Sequence, residues 1–321
     1  MERKKIDLFR RRTFGEKLNA TFGFVRENFR PLFKYMTYLL LPLALVVGFC
    51  MDSFMDSYLS ILGETVGEGV EAPVDAGYVL KMLAFVVGSM LMGIVAGSMV
   101  FTLLRLYNER EERLQGISFV DIRPVLWRNV KRCLWQILGA IVVMTVFLLV
   151  MAALGVVSLY TLIITIPALL VSILPMMLWS PAYLLEDLSL WASLKKAMRL
   201  GFQTWGGIFG ILLVIGILVN VFSTIVMLPF FIASAFKELL FPAENGGSPV
   251  WMDFIVYLSS VLMMYSSMML SSLSTIGLSF QYGHACDKID GVSIDHDIDR
   301  FEQMSDRHVD TPETFNDFEK L

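Results

Sequence analysis

Long uncharged segments alternate with charged segments along the whole chain. The uncharged runs cover residues 35–51, 82–104, 134–185, 202–236 and 254–280. A bilayer core about 30 Å thick is crossed by roughly 20 apolar residues in a helix, so the 52-residue run 134–185 is too long for one crossing. We divide this run near Gly155 and Ser158. The pattern then predicts six spans, at about 35–51, 82–104, 134–154, 159–184, 202–233 and 254–280.

The composition agrees with a membrane protein and excludes several other classes. Of the 321 residues, 56% are hydrophobic and 17% are charged, whereas soluble domains carry about 25% charged residues. These values exclude a soluble enzyme, a nucleic-acid-binding domain, a disordered chain and a secreted disulfide scaffold. The three cysteines lack zinc-type spacing, and no phosphate-binding or metalloprotease motif occurs. We therefore expect an all-α, polytopic integral membrane protein without a cofactor, a metal or catalytic residues.

The distribution of positive charge predicts the orientation of the spans. Of the 26 Lys and Arg residues, 24 lie in segment 1–34, after the second and fourth spans, or in the tail. Because positive loops stay in the cytoplasm, both termini are predicted to be cytoplasmic, which six spans also require. The prediction is a multi-pass cell-membrane protein with a basic segment 1–34, a transmembrane domain 35–280 and an acidic tail 281–321.

Three of the basic segments have the pattern of amphipathic helices. Their predicted starts are Thr13 with Glu16 as a capping box, Ser118 with Asp121, and Asp187 or Ser189. Basic amphipathic helices lie in the headgroup plane and contact anionic lipids. The candidate contacts are Arg128, Lys131, Arg132, Trp191, Lys195, Lys196 and Arg199. The segments form either repeated units with the hairpins that follow them or ordinary basic and aromatic flanks of membrane helices.

No ionisable side chain lies in the central part of any predicted span, which disfavours proton relays, ion-coupled carriers and intramembrane proteases. Uncharged polar residues accumulate in the fifth and sixth spans. Those predicted to form a polar groove are Asn220, Ser223, Thr224, Ser267, Ser271 and Thr275. Ordinary helix packing explains the same residues, and it also explains the pairs Gly93/Gly97 and Gly206/Gly210. In the fourth span, the prolines predicted to kink or break the helix are Pro167, Pro175 and Pro181.

Two parts of the chain resemble a known group of membrane proteins. The matching stretches are Arg12–Leu18 with Phe24–Leu32, and Pro181–Asp187 running through Trp191–Ala197 to Gly201 and Trp205. Together they resemble six-span bacterial proteins related to the membrane domain attached to some glycerophosphodiester phosphodiesterases. The resemblance implies a protein of the bacterial cytoplasmic membrane. It carries no catalytic residue, and the soluble phosphodiesterase barrel is absent from this chain.

These observations leave three hypotheses for function. The first is a non-enzymatic scaffold, partner subunit or membrane-organising factor, which would contact anionic lipids and a membrane-protein partner or a second copy, but no nucleic acid. The second is a transporter or lipid flippase that uses a polar groove between the fourth to sixth spans. The third is a lipid-modifying enzyme with Glu186 and Asp187 at the cytoplasmic interface.

Overall fold

The computed structural model describes residues 5–68, 75–157, 160–241 and 247–292, and these ranges form nine α-helices without a strand. The helices are α1 (Phe14–Glu27), α2 (Phe29–Glu68), α3 (Ala76–Glu109), α4 (Phe119–Val157), α5 (Thr161–Met176), α6 (Trp179–Leu185), α7 (Leu190–Gln203), α8 (Trp205–Leu240) and α9 (Val250–Ile289). Six segments are long and apolar enough to cross a membrane: Phe29–Tyr58, Ala76–Glu109, Phe119–Gly155, Thr165–Leu185, Trp205–Leu240 and Val250–Ile289. For the described residues, the prediction of an all-α chain with six helices long and apolar enough to cross a membrane is confirmed.

Polar side chains begin the helices at the predicted positions. Thr13 and Glu16 form a capping box at the start of α1, in which the Thr13 backbone N–H donates to the Glu16 carboxylate (2.7 Å). Ser189 caps α7, because its hydroxyl accepts from a backbone N–H of the first turn. Asp187 does not cap this helix; its φ of 55° places it in the left-handed region, two residues before the cap.

Both described chain ends lie at the same end of the helix bundle, hereafter the N-terminal end. The Lys5 ammonium donates to the Asn108 carbonyl at the end of α3 (2.7 Å), and the Arg11 backbone N–H donates to Asp287 near the end of α9 (2.7 Å). At the opposite end, Lys237 pairs with Asp56 and Asp253. The long helices therefore run alternately between these two ends.

The predicted fourth and fifth spans each contain a break in the structure. Span 159–184 is divided into α5 and α6 at residues 177–178, between Pro175 and Pro181. Proline lacks a backbone N–H and its ring clashes with the preceding turn, so a helix is readily interrupted here. The predicted fifth span, 202–233, includes the point at which the chain leaves helical geometry at Thr204 (φ −122°), and α8 begins after it. Residues 158 and 159 of the predicted turn lie outside the described residues.

The predicted outer loop 52–81 is largely helical, which corrects the sequence expectation. Residues 52–68 continue α2 and residues 76–81 open α3. The two extensions pack on each other, since the ring centroids of Phe54 and Tyr78 lie 5.6 Å apart. Asp75 caps α3 by accepting from the Tyr78 backbone N–H (2.6 Å). Charged residues within the two extensions do not end the helices. Both helices are therefore longer than a bilayer core requires.

Residue 281, where the acidic tail was predicted to begin, lies inside α9 in the structure. Helix α9 continues to Ile289, and Tyr282 and Cys286 on this extension are buried. The N-terminal segment packs on it so closely that a Cβ on Gly283 would collide with the Leu8 carbonyl. The non-helical segment before α1 thus covers the last turns of α9 and buries them. Residues 293–321 of the predicted acidic tail lie outside the described residues.

Helix α1 packs across this end of the bundle through a buried lysine. Lys17 is 4% exposed, and its ammonium donates to the Gln281 side-chain oxygen (2.7 Å). Burial, together with the positive charge of Lys288, lowers the pKa of Lys17. Phe24 lies in the same layer, with its ring edge against Tyr107 and Phe280. Helix α1 is therefore part of the packed bundle.

Helix α9 is the centre of the molecule and packs on α1, α2, α3 and α8. Close contacts follow from small residues, since a Cβ on Gly48 of α2 would lie 3.0 Å from the Val261 backbone of α9. Helix α4 is peripheral, and no residue in its most apolar 18-residue window is buried. The apolar side chains of that window are therefore exposed or half-buried, whereas Ile122 and Leu126 at the start of α4 are buried in the bundle.

Candidate functional site

A cavity of about 500 Å³ opens at the side of the bundle, between α3, α4, the α5–α6 break and α9. We call it the lateral cavity. It is lined by Met90, Gly93, Ile94, Gly97, Phe101, Cys133, Gln136, Ile137, Ala140, Met176, Met177, Ser180, Pro181, Leu184, Thr275 and Leu278. Most of this lining is apolar, and no charged side chain contributes to it. A pocket with this lining suits an apolar ligand that has few polar groups.

Local sequence features create the space for the lateral cavity. Gly93 and Gly97 lie on one face of α3, and a Cβ at either position would meet no atom within 4 Å. The two glycines were predicted to be helix-packing residues; in the structure they border the cavity. The break at residues 177–178 supplies the facing wall, because both Met177 and Ser180 line it.

One buried amide is the main polar group of the cavity. Gln136 of α4 is 9% exposed, and its side-chain nitrogen donates to the Ser180 hydroxyl of α6 (2.9 Å). One turn earlier, the Cys133 sulfur accepts from the Ser98 hydroxyl of α3 (3.2 Å). These bonds tie α4 to both neighbouring helices along one face. They leave hydrogen-bonding capacity at the cavity wall, since an amide has four such positions.

The polar face of α4 continues toward the N-terminal end of the bundle. The Asn129 side-chain nitrogen donates to the Thr102 hydroxyl (2.9 Å), and both residues are fully buried. Among the described residues, the side-chain oxygen of Asn129 has no hydrogen-bond partner. Positions 129, 133 and 136 share one helical face, so the spacing in α4 explains why these groups meet α3 and α6.

Three arginines surround Asp187 just beyond the cavity. The Asp187 carboxylate lies 2.7 Å from Arg105, 3.2 Å from Arg128 and 3.9 Å from Arg132, measured to a guanidinium nitrogen. Arg105 follows the cavity residue Phe101 by four positions, and Arg132 precedes Gln136 by four. The cluster is therefore one helical turn from the cavity lining. Glu109 also pairs with Arg105 (2.7 Å), so three positive charges face two carboxylates, which leaves one positive charge in excess.

Glu186 belongs to a second cluster beside the first. Its carboxylate accepts from the Tyr282 hydroxyl (2.7 Å) and from the Lys196 ammonium (2.6 Å), and the Cys286 thiol is 3.4 Å away. Lys196 also pairs with Asp290 (3.5 Å). Burial lowers the pKa of Lys196, but the hydrogen bond that Lys196 donates to Glu186 and the nearby acidic groups outweigh it, so the pKa is raised. Glu186 joins α6, α7 and α9.

Comparison with protein-family models, with curated proteins and with solved structures finds no match for this chain.

The structure disperses the residues of the predicted polar groove. Asn220, Thr224 and Ser271 are exposed, and the Thr224 hydroxyl donates to the Asn220 carbonyl of its own helix (2.9 Å). Ser223 is half-buried, and the buried hydroxyl of Ser267 has no hydrogen-bond partner. Thr275 lines the lateral cavity. It is thus the member of the predicted set that lies at the site described above.

The predicted interfacial residues divide into exposed and ion-paired groups. Trp191, Lys195 and Lys131 are exposed, with the Lys131 ammonium 5.4 Å from the Trp127 ring centroid. The ion-paired residues are Arg128 and Arg132 with Asp187, Lys196 with Glu186 and Asp290, and Arg199 with Asp290. Arg128 and Arg199 belong to both groups, because they are exposed as well as ion-paired, whereas Arg132 and Lys196 are half-buried.

The predicted packing glycines of α8 differ from each other. A Cβ on Gly210 would lie 2.9 Å from the Phe14 ring of α1, whereas a Cβ on Gly206 would meet no atom within 4 Å.

Sequence reasoning missed Gln136, Asn129 and Ser180. The signal that could have found the first two is their place on α4, opposite the aromatic and basic face that carries Trp127 and Lys131. A polar stripe facing away from the amphipathic surface indicates a contact inside the bundle.

Proposed function

We propose that this chain is a multi-pass protein of a bacterial cytoplasmic membrane that binds a membrane lipid in the lateral cavity. The observation that carries the proposal is the cavity of about 500 Å³ with an uncharged, mostly apolar lining and an arginine cluster one helical turn away. An acyl chain fits the apolar lining, Gln136 and Ser180 suit ester oxygens, and the arginines attract an anionic headgroup. This assigns the chain to lipid handling, at a site other than Asn220.

Charge distribution supports an orientation in which the N-terminal end of the bundle faces the cytoplasm. Residues 5–34 of the basic segment and the α3–α4 loop lie at that end, and Lys237 with its acidic partners lies at the other. Positive loops remain cytoplasmic. The exposed Trp127, Lys131, Trp191 and Lys195 then lie where amphipathic segments contact headgroups. The lateral cavity, near this end, opens to the cytoplasmic leaflet.

Filling the cavity tests the proposal. We expect Gly97→Leu to lose most of the lipid that co-purifies with the wild-type protein in lipid-retaining polymer discs, because the leucine occupies the cavity without displacing neighbouring atoms. Bound lipid is measured by native mass spectrometry. The matched control is Gly206→Leu, another glycine with open space around it. Equal lipid retention by both variants and the wild type would refute a lipid site in this cavity.

A second candidate function, a partner subunit or self-associating scaffold, is favoured by Asn220. Its amide is exposed on the outer face of α8, in the middle of a membrane-crossing helix. An amide facing hydrocarbon is costly, whereas amides pair well across helix contacts. We expect Asn220→Leu to reduce a wild-type oligomer to monomers in discs, as measured by native mass spectrometry. A monomeric wild-type protein with no protein partner contradicts this role.

A further inference from the structure

Three basic side chains form a row at the junction of α1 and α2. Arg26, Arg30 and Lys34 recur every four residues, and all three are exposed. Within the described residues none of them forms an ion pair. This distinguishes them from the arginines around Asp187, whose charges are partly neutralised inside the protein.

The row borders a pocket of about 690 Å³, which we call the basic pocket. Its other wall is the α3–α4 loop, whose shape depends on left-handed backbone at Arg113 (φ 61°) and Gly116 (φ 65°). Two contacts hold this wall in place: Arg113 pairs with Glu27 (2.7 Å), and the Tyr35 hydroxyl donates to the Ile117 carbonyl (2.6 Å). The basic pocket is therefore a built feature with fixed walls.

The charge in the basic pocket selects a phosphate group as ligand. Four cations line it, and Glu27 is the one carboxylate among the lining residues. Arginine binds phosphate oxygens through paired N–H donors, and lysine adds a mobile positive charge. A neutral or cationic ligand would leave these charges uncompensated.

Apolar space continues from the basic pocket along the bundle. A neighbouring pocket of about 770 Å³ shares Lys34, Tyr35 and Ile117 with it and is also lined by Phe33, Tyr38 and Phe119. A third space of about 600 Å³ shares Phe119 and is lined mostly by apolar residues, which include Leu39, Val95 and Val130, with Arg123 as the one charged residue of the lining. A ligand that fills all three must be charged at one end and apolar at the other.

We propose that the basic pocket binds the phosphate headgroup of an anionic lipid, with its acyl chain along the apolar space beside Phe119. This site shares no lining residue with the lateral cavity. An experiment can therefore refute this site without refuting the proposed function, and the reverse. A soluble phosphate compound has the same phosphate chemistry but lacks the acyl chain. An experiment can therefore distinguish it from an anionic lipid as the ligand.

The test uses the full chain in phosphatidylcholine discs with increasing fractions of phosphatidylglycerol, and follows thermal unfolding. Each basic side chain near an anionic headgroup contributes about fivefold in affinity. We therefore expect Arg30→Gln/Lys34→Gln to weaken the affinity for phosphatidylglycerol by about 30-fold, so that the same stabilisation needs a much larger fraction of this lipid. The matched control, Arg10→Gln/Lys288→Gln, removes two exposed cations that line none of these pockets, and we expect it to respond like the wild type.

Further measurements distinguish a lipid from a soluble phosphate compound as the ligand, and they exclude a general loss of stability as the cause. Arg30→Lys keeps the charge and is expected to retain most of the response, whereas unfolding in pure phosphatidylcholine reports any general loss of stability. An equal response in wild type and both double variants, or an equal loss in both double variants, overturns the proposal. Stabilisation by glycerol 3-phosphate in phosphatidylcholine discs, without a response to phosphatidylglycerol, assigns the pocket to a soluble phosphate compound and overturns the lipid assignment.

Discussion

Asp187 combines an uncommon backbone conformation with a concentration of opposite charge. Its φ of 55° is tolerated best by Gly, Asn and Asp, and its carboxylate faces three arginines. We expect Asp187→Asn to keep the backbone and to lower the free energy of unfolding by about 1 kcal/mol, since the carboxylate is partly exposed and screened by water. The loss should shrink at high salt. Unfolding in detergent at low and high salt measures both effects.

The control for this prediction is Glu111→Gln, which removes an exposed carboxylate outside the arginine cluster. We expect its stability to stay within about 0.5 kcal/mol of the wild type. If Asp187→Asn behaves like this control, the arginines are compensated by solvent and Asp187 does not hold the α3, α4 and α6 ends together.

At the level of the elements, the contact between α5 and α7 depends on one glycine. A Cβ on Gly201 of α7 would lie 2.5 Å from the Cα of Pro175, and backbone atoms cannot yield as a flexible side chain does. We expect Gly201→Ala to cost about 1–3 kcal/mol through overpacking. Gly206→Ala should cost nothing, because open space surrounds it. Thermal unfolding of the two variants side by side checks the expectation, and equal stability would show that the two helices move apart without cost.

At the scale of the whole molecule, both described chain ends lie at the N-terminal end of the bundle, which predicts the topology of the chain in the membrane. We expect a green fluorescent protein fused after residue 321 to fluoresce, because it stays in the cytoplasm, and alkaline phosphatase inserted after Gly247 to be active outside. The reason is the concentration of basic residues at the N-terminal end of the bundle. Reversed activities of the two reporters would place the lateral cavity and the basic pocket in the outer leaflet.

Several local features followed from the sequence and were found in the structure. The uncharged runs predicted six membrane-crossing helices, and Thr13 with Glu16 and Ser189 marked helix starts. The errors fall where long-range contacts override the local pattern. The extensions of α2 and α3 pack on each other through Phe54 and Tyr78, and the last turns of α9 are covered by the N-terminal segment.

The sequence by itself determined the class, the number of crossing helices and several of their starting points, because hydropathy and capping act over a few neighbouring residues. Only the tertiary structure decided which polar groups meet. Gln136 bonds Ser180 across 44 positions of chain, and Arg105 reaches Asp187 across 82. Such pairings depend on helix rotation and on breaks such as the one after α5. The lateral cavity and the basic pocket therefore became visible only in the folded chain.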